Sequence, residues 1–149
     1  MGFDAGKKVK GKKRFLVVDT LGLILAAFVC SAGAQEVPGA RVVLQRVQGG
    51  GPTPRFARLT RIWADHAYLN ANLIAWTKHR LGYALDIVKR PAGVRGFTVL
   101  PRRWVVERTF AWLGRYRRLS KDYEQWPWSS EAYLYLAMTH RMLRCLAPP

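Results

Sequence analysis

Short apolar runs that alternate with amphipathic helical stretches predict an α/β chain, a mixed sheet flanked by helices. Two further observations support that class. Apolar runs at 15–18 and 23–29 surround Asp19-Thr20-Leu21-Gly22, a turn sequence, so the chain opens on a β-hairpin. Of the 149 residues, 50% are hydrophobic, which suits a single packed domain over residues 1–149 and excludes a disordered chain.

Each later element follows from a local signal. Residues 36–47 read as a helix whose first turn takes Pro38 and Gly39, where a missing N–H does no harm. Gly49-Gly50-Gly51-Pro52-Thr53-Pro54 is a loop. Residues 59–64 form a strand, 70–80 a helix with Leu73, Ile74 and Trp76 as its apolar positions, and 85–88 another strand. The hairpin is expected to pair beside the strand that ends at Asp65. Residues 91–96 are turn-rich, and 98–101 lead into a long helix with Pro101 at its start. Pro127-Trp128-Ser129-Ser130-Glu131 ends one helix, and Ser129 or Ser130 caps the next, at 131–146. That last helix offers Tyr133, Leu136, Ala137, His140 and Leu143 as a packing face.

The formal net charge of +16 calls for a polyanionic partner, nucleic acid before an anionic membrane surface. Basic residues concentrate at 7–14, read as a loop, and along 102–121. A charge run is usually a solvated face, but a total this large asks for more. Cys30 and Cys145 lack metal spacing and do not suggest a disulfide framework, and His66, His79 and His140 show no ligand spacing. The basic 7–14 stretch, the apolar run after it and Ser31-Ala32-Gly33-Ala34 mimic a secretory signal. Asp19 interrupts the apolar run, which also leaves it short for a membrane span, and the hairpin explains the same residues, so export is rejected.

The most informative stretch is 102–119, read as one helix. On a 3.6-residue period Arg103, Glu107, Gly114 and Arg118 share a narrow arc, while Val106, Phe110 and Leu113 form the core-facing stripe. A carboxylate among guanidinium groups suits a hard cation beside a phosphate backbone, where arginine forks bind phosphate oxygens. The plainer reading is an ion pair between Glu107 and Arg103 on an ordinary amphipathic helix. Asp65 likewise reads either as an acid at a strand's C-terminal end, well placed to ligate metal, or as a turn or N-cap residue.

Trp104-Val105-Val106-Glu107-Arg108-Thr109-Phe110, continuing through Trp112-Leu113 and Arg117-Arg118-Leu119-Ser120-Lys121-Asp122-Tyr123-Glu124, resembles the C-terminal signature of bacterial insertion-sequence transposases of the DDE type, in the IS4/IS5-like grouping. In that pattern Arg103 fills the arginine position and Glu107 that of the third acid. Leu100 stands where tyrosine is expected and Gly114 where lysine is expected, with Arg115 or Arg118 as substitute cations. Trp63-Ala64-Asp65-His66-Ala67-Tyr68 is similar to the family's middle motif; Asp65 and Tyr68 match and Ala67 replaces the usual glycine. The basic opening at 2–14 and Leu16–Leu23 resemble the segment that follows the family's first catalytic Asp.

The resemblance implies an RNase H-like fold, N-terminally truncated so that the first catalytic strand and its acid are absent. It also implies DNA transposition by metal-dependent phosphodiester cleavage and strand transfer, with Mg²⁺ or Mn²⁺ on Asp65 and Glu107. Arg103, Arg115, Arg118, Lys7, Lys8 and Lys10 are the expected DNA-binding residues. The expected partners are transposon ends and target DNA, with an upstream-frame polypeptide or the full-length transposase as a protein partner, in the cytoplasm at the nucleoid and without a membrane. With two acids of three, the chain alone is expected to be inactive. A non-catalytic DNA-binding remnant, or an inhibitor of transposition, explains the same basic surfaces without Asp65 meeting Glu107.

Overall fold

A computed structural model describes residues 2–4, 8–51, 55–88 and 103–147. Lys7, the 91–96 turn, Leu100, Pro101 and Arg102 lie outside the described residues.

The chain opens with strand β1 (Gly2–Asp4), which pairs antiparallel with β2 (Val9–Val18); β2 then pairs antiparallel with β3 (Ile24–Ser31). Residues 9–14 of the basic segment are therefore strand, not the expected loop. Asp19 makes the β2–β3 turn: its Oδ1 accepts from the N–H groups of Leu21 at 2.9 Å and Leu23 at 2.8 Å. Residues 24–29 of the apolar run are built into this hairpin as strand, and no helix among the described residues is long and apolar enough to cross a membrane.

Both faces of the hairpin are covered, which is why its strands read as near-continuous apolar runs. Phe15, Val17 and Ala26 face one core, shared with helix α1 (Glu36–Gln48) through Ala40, Val43, Leu44 and Val47. A Cβ on Gly39 would overlap the Phe15 ring, so α1 reaches this packing distance because residue 39 is glycine. Ala27 and Val29 face a second core formed with Leu113, Leu119, Leu134 and Ala137 from α3 (Arg103–Gly114), α4 (Arg117–Ser120) and α5 (Pro127–Leu146).

Beyond α1, β4 (Arg61–Ala64) pairs parallel with β5 (Ala84–Ile87) across a helical crossover, α2 (Ala71–Trp76) running into a π turn at Thr77–Leu81. Asn70 caps α2 by accepting from Leu73 N–H at 2.9 Å. The described strands form two sheets, β1-β2-β3 and β4-β5, so the hairpin and the strand ending at Asp65 share a core but not a ladder. The outer edge of β3 is closed by side chains instead. Tyr135 Oη accepts from Ala27 N–H at 2.9 Å, Glu131 Oε1 accepts from Val29 N–H at 2.8 Å, and Arg46 donates to the Ala27 carbonyl at 2.6 Å. The middle of that edge, at Ala27 and Val29, is thereby occupied by side chains.

Two helix readings are corrected. The described part of the 102–119 stretch, from Arg103 on, is two helices: α3 ends at Gly114, the Arg115 and Tyr116 N–H groups bond to Trp112 and Leu113 carbonyls at 3.2 and 3.0 Å, and extended Tyr116 starts α4. Tightened bonds of this kind close a helix, and the turn drops Leu119 into the second core. Likewise α5 starts at Pro127, so Ser129 and Ser130 lie inside it and cap nothing. Its buried positions are Ser130, Leu134, Ala137 and Met138, one residue off the expected face, and Leu136 and Leu143 are exposed.

Candidate functional site

Asp65 follows β4 directly and is the N-cap of a single 3-10 turn, His66–Tyr68. Its Oδ1 accepts from Ala67 N–H at 3.0 Å, and Tyr68 N–H bonds to the Asp65 carbonyl at 3.1 Å. The strand-end and N-cap readings thus describe one residue. Ala67 adopts no positive φ, so this turn does not need the glycine that the motif usually carries. Burial pushes the Tyr68 phenol above its ordinary pKa, and the Glu36 and Asp65 carboxylates push the same way. Tyr68 therefore stays a neutral donor close to both acids.

Glu36 is a neighbour that the sequence did not reveal. It reads as an ordinary first-turn acid of α1, and its Oε1 pairs with Lys13 Nζ at 3.0 Å. Proximity to Tyr68 depends on how α1 lies against the Asp65 turn, a tertiary fact without a local signal.

Glu107 is exposed on α3, and the residues after it are structural. Arg108 donates to the Leu21 carbonyl at 2.9 Å and stacks on Trp104 and Trp112, with centroid distances of 4.4 and 4.7 Å. Leu113 is buried as the expected stripe requires and Val106 is half-buried, whereas Phe110 is 38% exposed and the fully buried Thr109 takes its place. Arg103 is the first residue of α3, and its side chain lies outside the described residues.

Asp65 thus ends a strand of the α1 core, and Glu107 rides on the helix layer that covers the hairpin's other face. Among the described residues no group of three or more His, Cys, Asp or Glu side chains is placed to hold a metal ion. Carboxylate oxygens suit a hard divalent cation in kind, but two acids do not make a complete two-metal centre.

The basic residues divide by what they touch. Lys8 and Lys10 are exposed. The Lys12 side chain is 3% exposed and bonds to Asp122 at 3.2 Å, Ser130 Oγ at 3.3 Å and the Glu124 carbonyl. Lys13 holds Glu36 and the Ala34 carbonyl, and Arg14 donates to the Leu119 carbonyl at 3.1 Å. Half of the N-terminal charge run is therefore internal fastening. Arg115, Arg117 and Arg118 are exposed beyond the α3 break, which removes Arg118 from the expected arc with Arg103 and Glu107. Arg118 pairs with Glu124 at 2.5 Å and stacks over Tyr133.

A family model described as a transposase DDE domain matches residues 2–142. Neither a curated protein nor a solved structure matches the chain.

Proposed function

We propose, from the premise that the chain belongs to the transposase DDE domain family, that it serves insertion-sequence transposition in the IS4/IS5-like grouping. The family match across residues 2–142 carries this reading. Asp65 and Glu107 would hold a Mg²⁺ or Mn²⁺ ion, which when bound would supply Lewis-acid chemistry toward a phosphodiester. Tyr68 keeps its proton and steadies the Asp65 turn. Arg103 orients Glu107 or meets phosphate. Lys7, Lys8, Lys10, Arg115 and Arg118 hold the DNA backbone at the nucleoid. The family pattern carries its first acid on a strand preceding the Gly2 segment. A complete centre in that pattern would add this third carboxylate to Asp65 and Glu107.

The test is metal-dependent nicking of a supercoiled plasmid that bears the DNA flanking the coding sequence. The chain is assayed alone, and extended in frame with the sequence encoded upstream. The extended form is expected to nick with Mg²⁺ or Mn²⁺, and Asp65→Asn or Glu107→Gln to abolish nicking. Undiminished nicking by the Glu107→Gln protein would remove Glu107 from the site. DNA binding without nicking in either form would favour the non-catalytic reading, in which the chain occupies transposon ends and inhibits.

A further inference from the structure

We propose that Trp126 and Trp128 form a stacking platform for the unpaired bases of a single-stranded DNA segment. This rests on the DNA-handling role proposed above and adds a selectivity to it. The two indoles lie 4.8 Å apart between ring centroids with their planes 7° from parallel, an offset stack. They are 50% and 64% exposed, and neither belongs to either hydrophobic core. Each therefore covers one face with the other ring while half or more of its surface stays exposed to water.

The mounting is rigid. Trp126 is the N-cap of α5, Pro127 occupies the first turn with its φ fixed by the ring, and Trp128 is already helical. A side-chain pair held at the start of a 20-residue helix loses little further freedom when a base docks.

Charge selects the occupant. Arg115, Arg117 and Lys121 are exposed in the connection that leads to the platform, and Tyr123 beside them is 55% exposed. The acids of the same stretch are already engaged, Asp122 by Lys12 and Glu124 by Arg118. Cations interleaved with exposed aromatics on a chain of net charge +16 suit a nucleic-acid strand better than an apolar protein face. Strandedness follows from where π-faces are available. Inside a duplex each base face is covered by its neighbours and only the terminal pair shows one outer face, whereas an unpaired base can be turned out to offer a face to an indole.

The experiment compares a blunt duplex with the same duplex carrying a short single-stranded overhang, by fluorescence anisotropy at fixed salt, with 2-aminopurine at the first unpaired position. The unaltered chain is expected to prefer the overhang roughly tenfold, within the range that one base stacked on an aromatic side chain supplies. Binding should also quench the 2-aminopurine. Trp126→Ala/Trp128→Ala should remove the preference and the quenching while blunt-duplex affinity and the thermal melt stay as they were. Trp128→Phe should retain most of both.

Equal affinity for the two DNAs, or equal losses on both in the alanine variant, would overturn the platform while leaving DNA handling intact. So would a dimer of the unaltered chain that the alanine variant dissociates in sedimentation, since the indoles would then be a protein contact. Failure to bind either DNA at low salt would overturn the platform and the DNA-handling reading together.

Discussion

Thr109 Oγ1 lies 2.8 Å from the Gly22 carbonyl oxygen and 3.1 Å from that of Val105, so the middle of the signature helix is fastened to the turn of the first hairpin. Gly22 has φ of +85°, and a Cβ there would sit 2.8 Å from Thr109 Oγ1 and 3.1 Å from the Trp112 ring. The turn and the helix are thus fitted to each other across 87 residues of sequence. The Glu-Arg-Thr part of the motif divides its tasks: Glu107 faces outward, while Arg108 and Thr109 set where α3 sits.

Thr109→Val is predicted to cost about 1–2 kcal/mol, since it strips a buried carbonyl of its donor without changing side-chain volume much. Gly22→Ala should cost at least as much, because alanine is strained at that φ and collides with Thr109 and Trp112. Urea unfolding of both single variants and the double variant measures this. Additive losses would mean that the two sites are independent.

Lys12 carries the second prediction. Its side chain is 3% exposed and is surrounded by Asp122, Ser130 and the Glu124 carbonyl, which ties β2 to the segment before α5. Lys12→Met leaves Asp122 without its cation and is predicted to destabilise by about 3 kcal/mol. Lys12→Met/Asp122→Leu should recover part of that loss, because breaking a buried pair costs more than replacing it. A double-variant melt no better than that of Lys12→Met would refute the pairing argument.

These two attachments show why local patterns disclosed some of the molecule and missed the rest. The Asp19 turn was legible because its acceptor and donors are within four residues of each other. The strand end at Asp65 was legible for the same reason. Lys12 looked like one member of a basic run because its partner stands 110 residues away. The break at Arg115 and Tyr116 was hidden because helical periodicity continues through it, and burial of Leu119 decides it. Glu36 was invisible as a neighbour of Tyr68 for the same long-range reason.

DNA affinity should separate the two kinds of basic residue. Lys8, Lys10, Arg115 and Arg117 are exposed. Each phosphate that Lys8→Ala/Lys10→Ala or Arg115→Ala/Arg117→Ala leaves unneutralised should lower the slope of log affinity against log salt by about 0.9. Lys12→Met should leave that slope unchanged in the folded protein, since Lys12 faces inward. Anisotropy titrations across salt concentrations decide it. An unchanged slope in both exposed double variants would place the DNA surface elsewhere.

Alkaline pH tests the Asp65 neighbourhood. Burial, then Glu36, then Asp65 hold the Tyr68 phenol above its ordinary value of 10.0. The folded state therefore keeps a proton that the unfolded chain releases. The stabilising contribution of neutral Tyr68 is complete below the unfolded value of 10.0 and is lost as pH rises from there through the folded value. Urea midpoints measured from about pH 8 to about pH 11 should fall more steeply at the alkaline end for the unaltered chain than for Tyr68→Phe, which has no phenol to ionise. Asp65→Asn should soften the fall to a smaller degree, because its carboxylate is the least of the three influences. Parallel curves for the unaltered and Tyr68→Phe proteins would mean that Tyr68 ionises as freely folded as unfolded, and the packing of the Asp65 turn against α1 would have to be wrong.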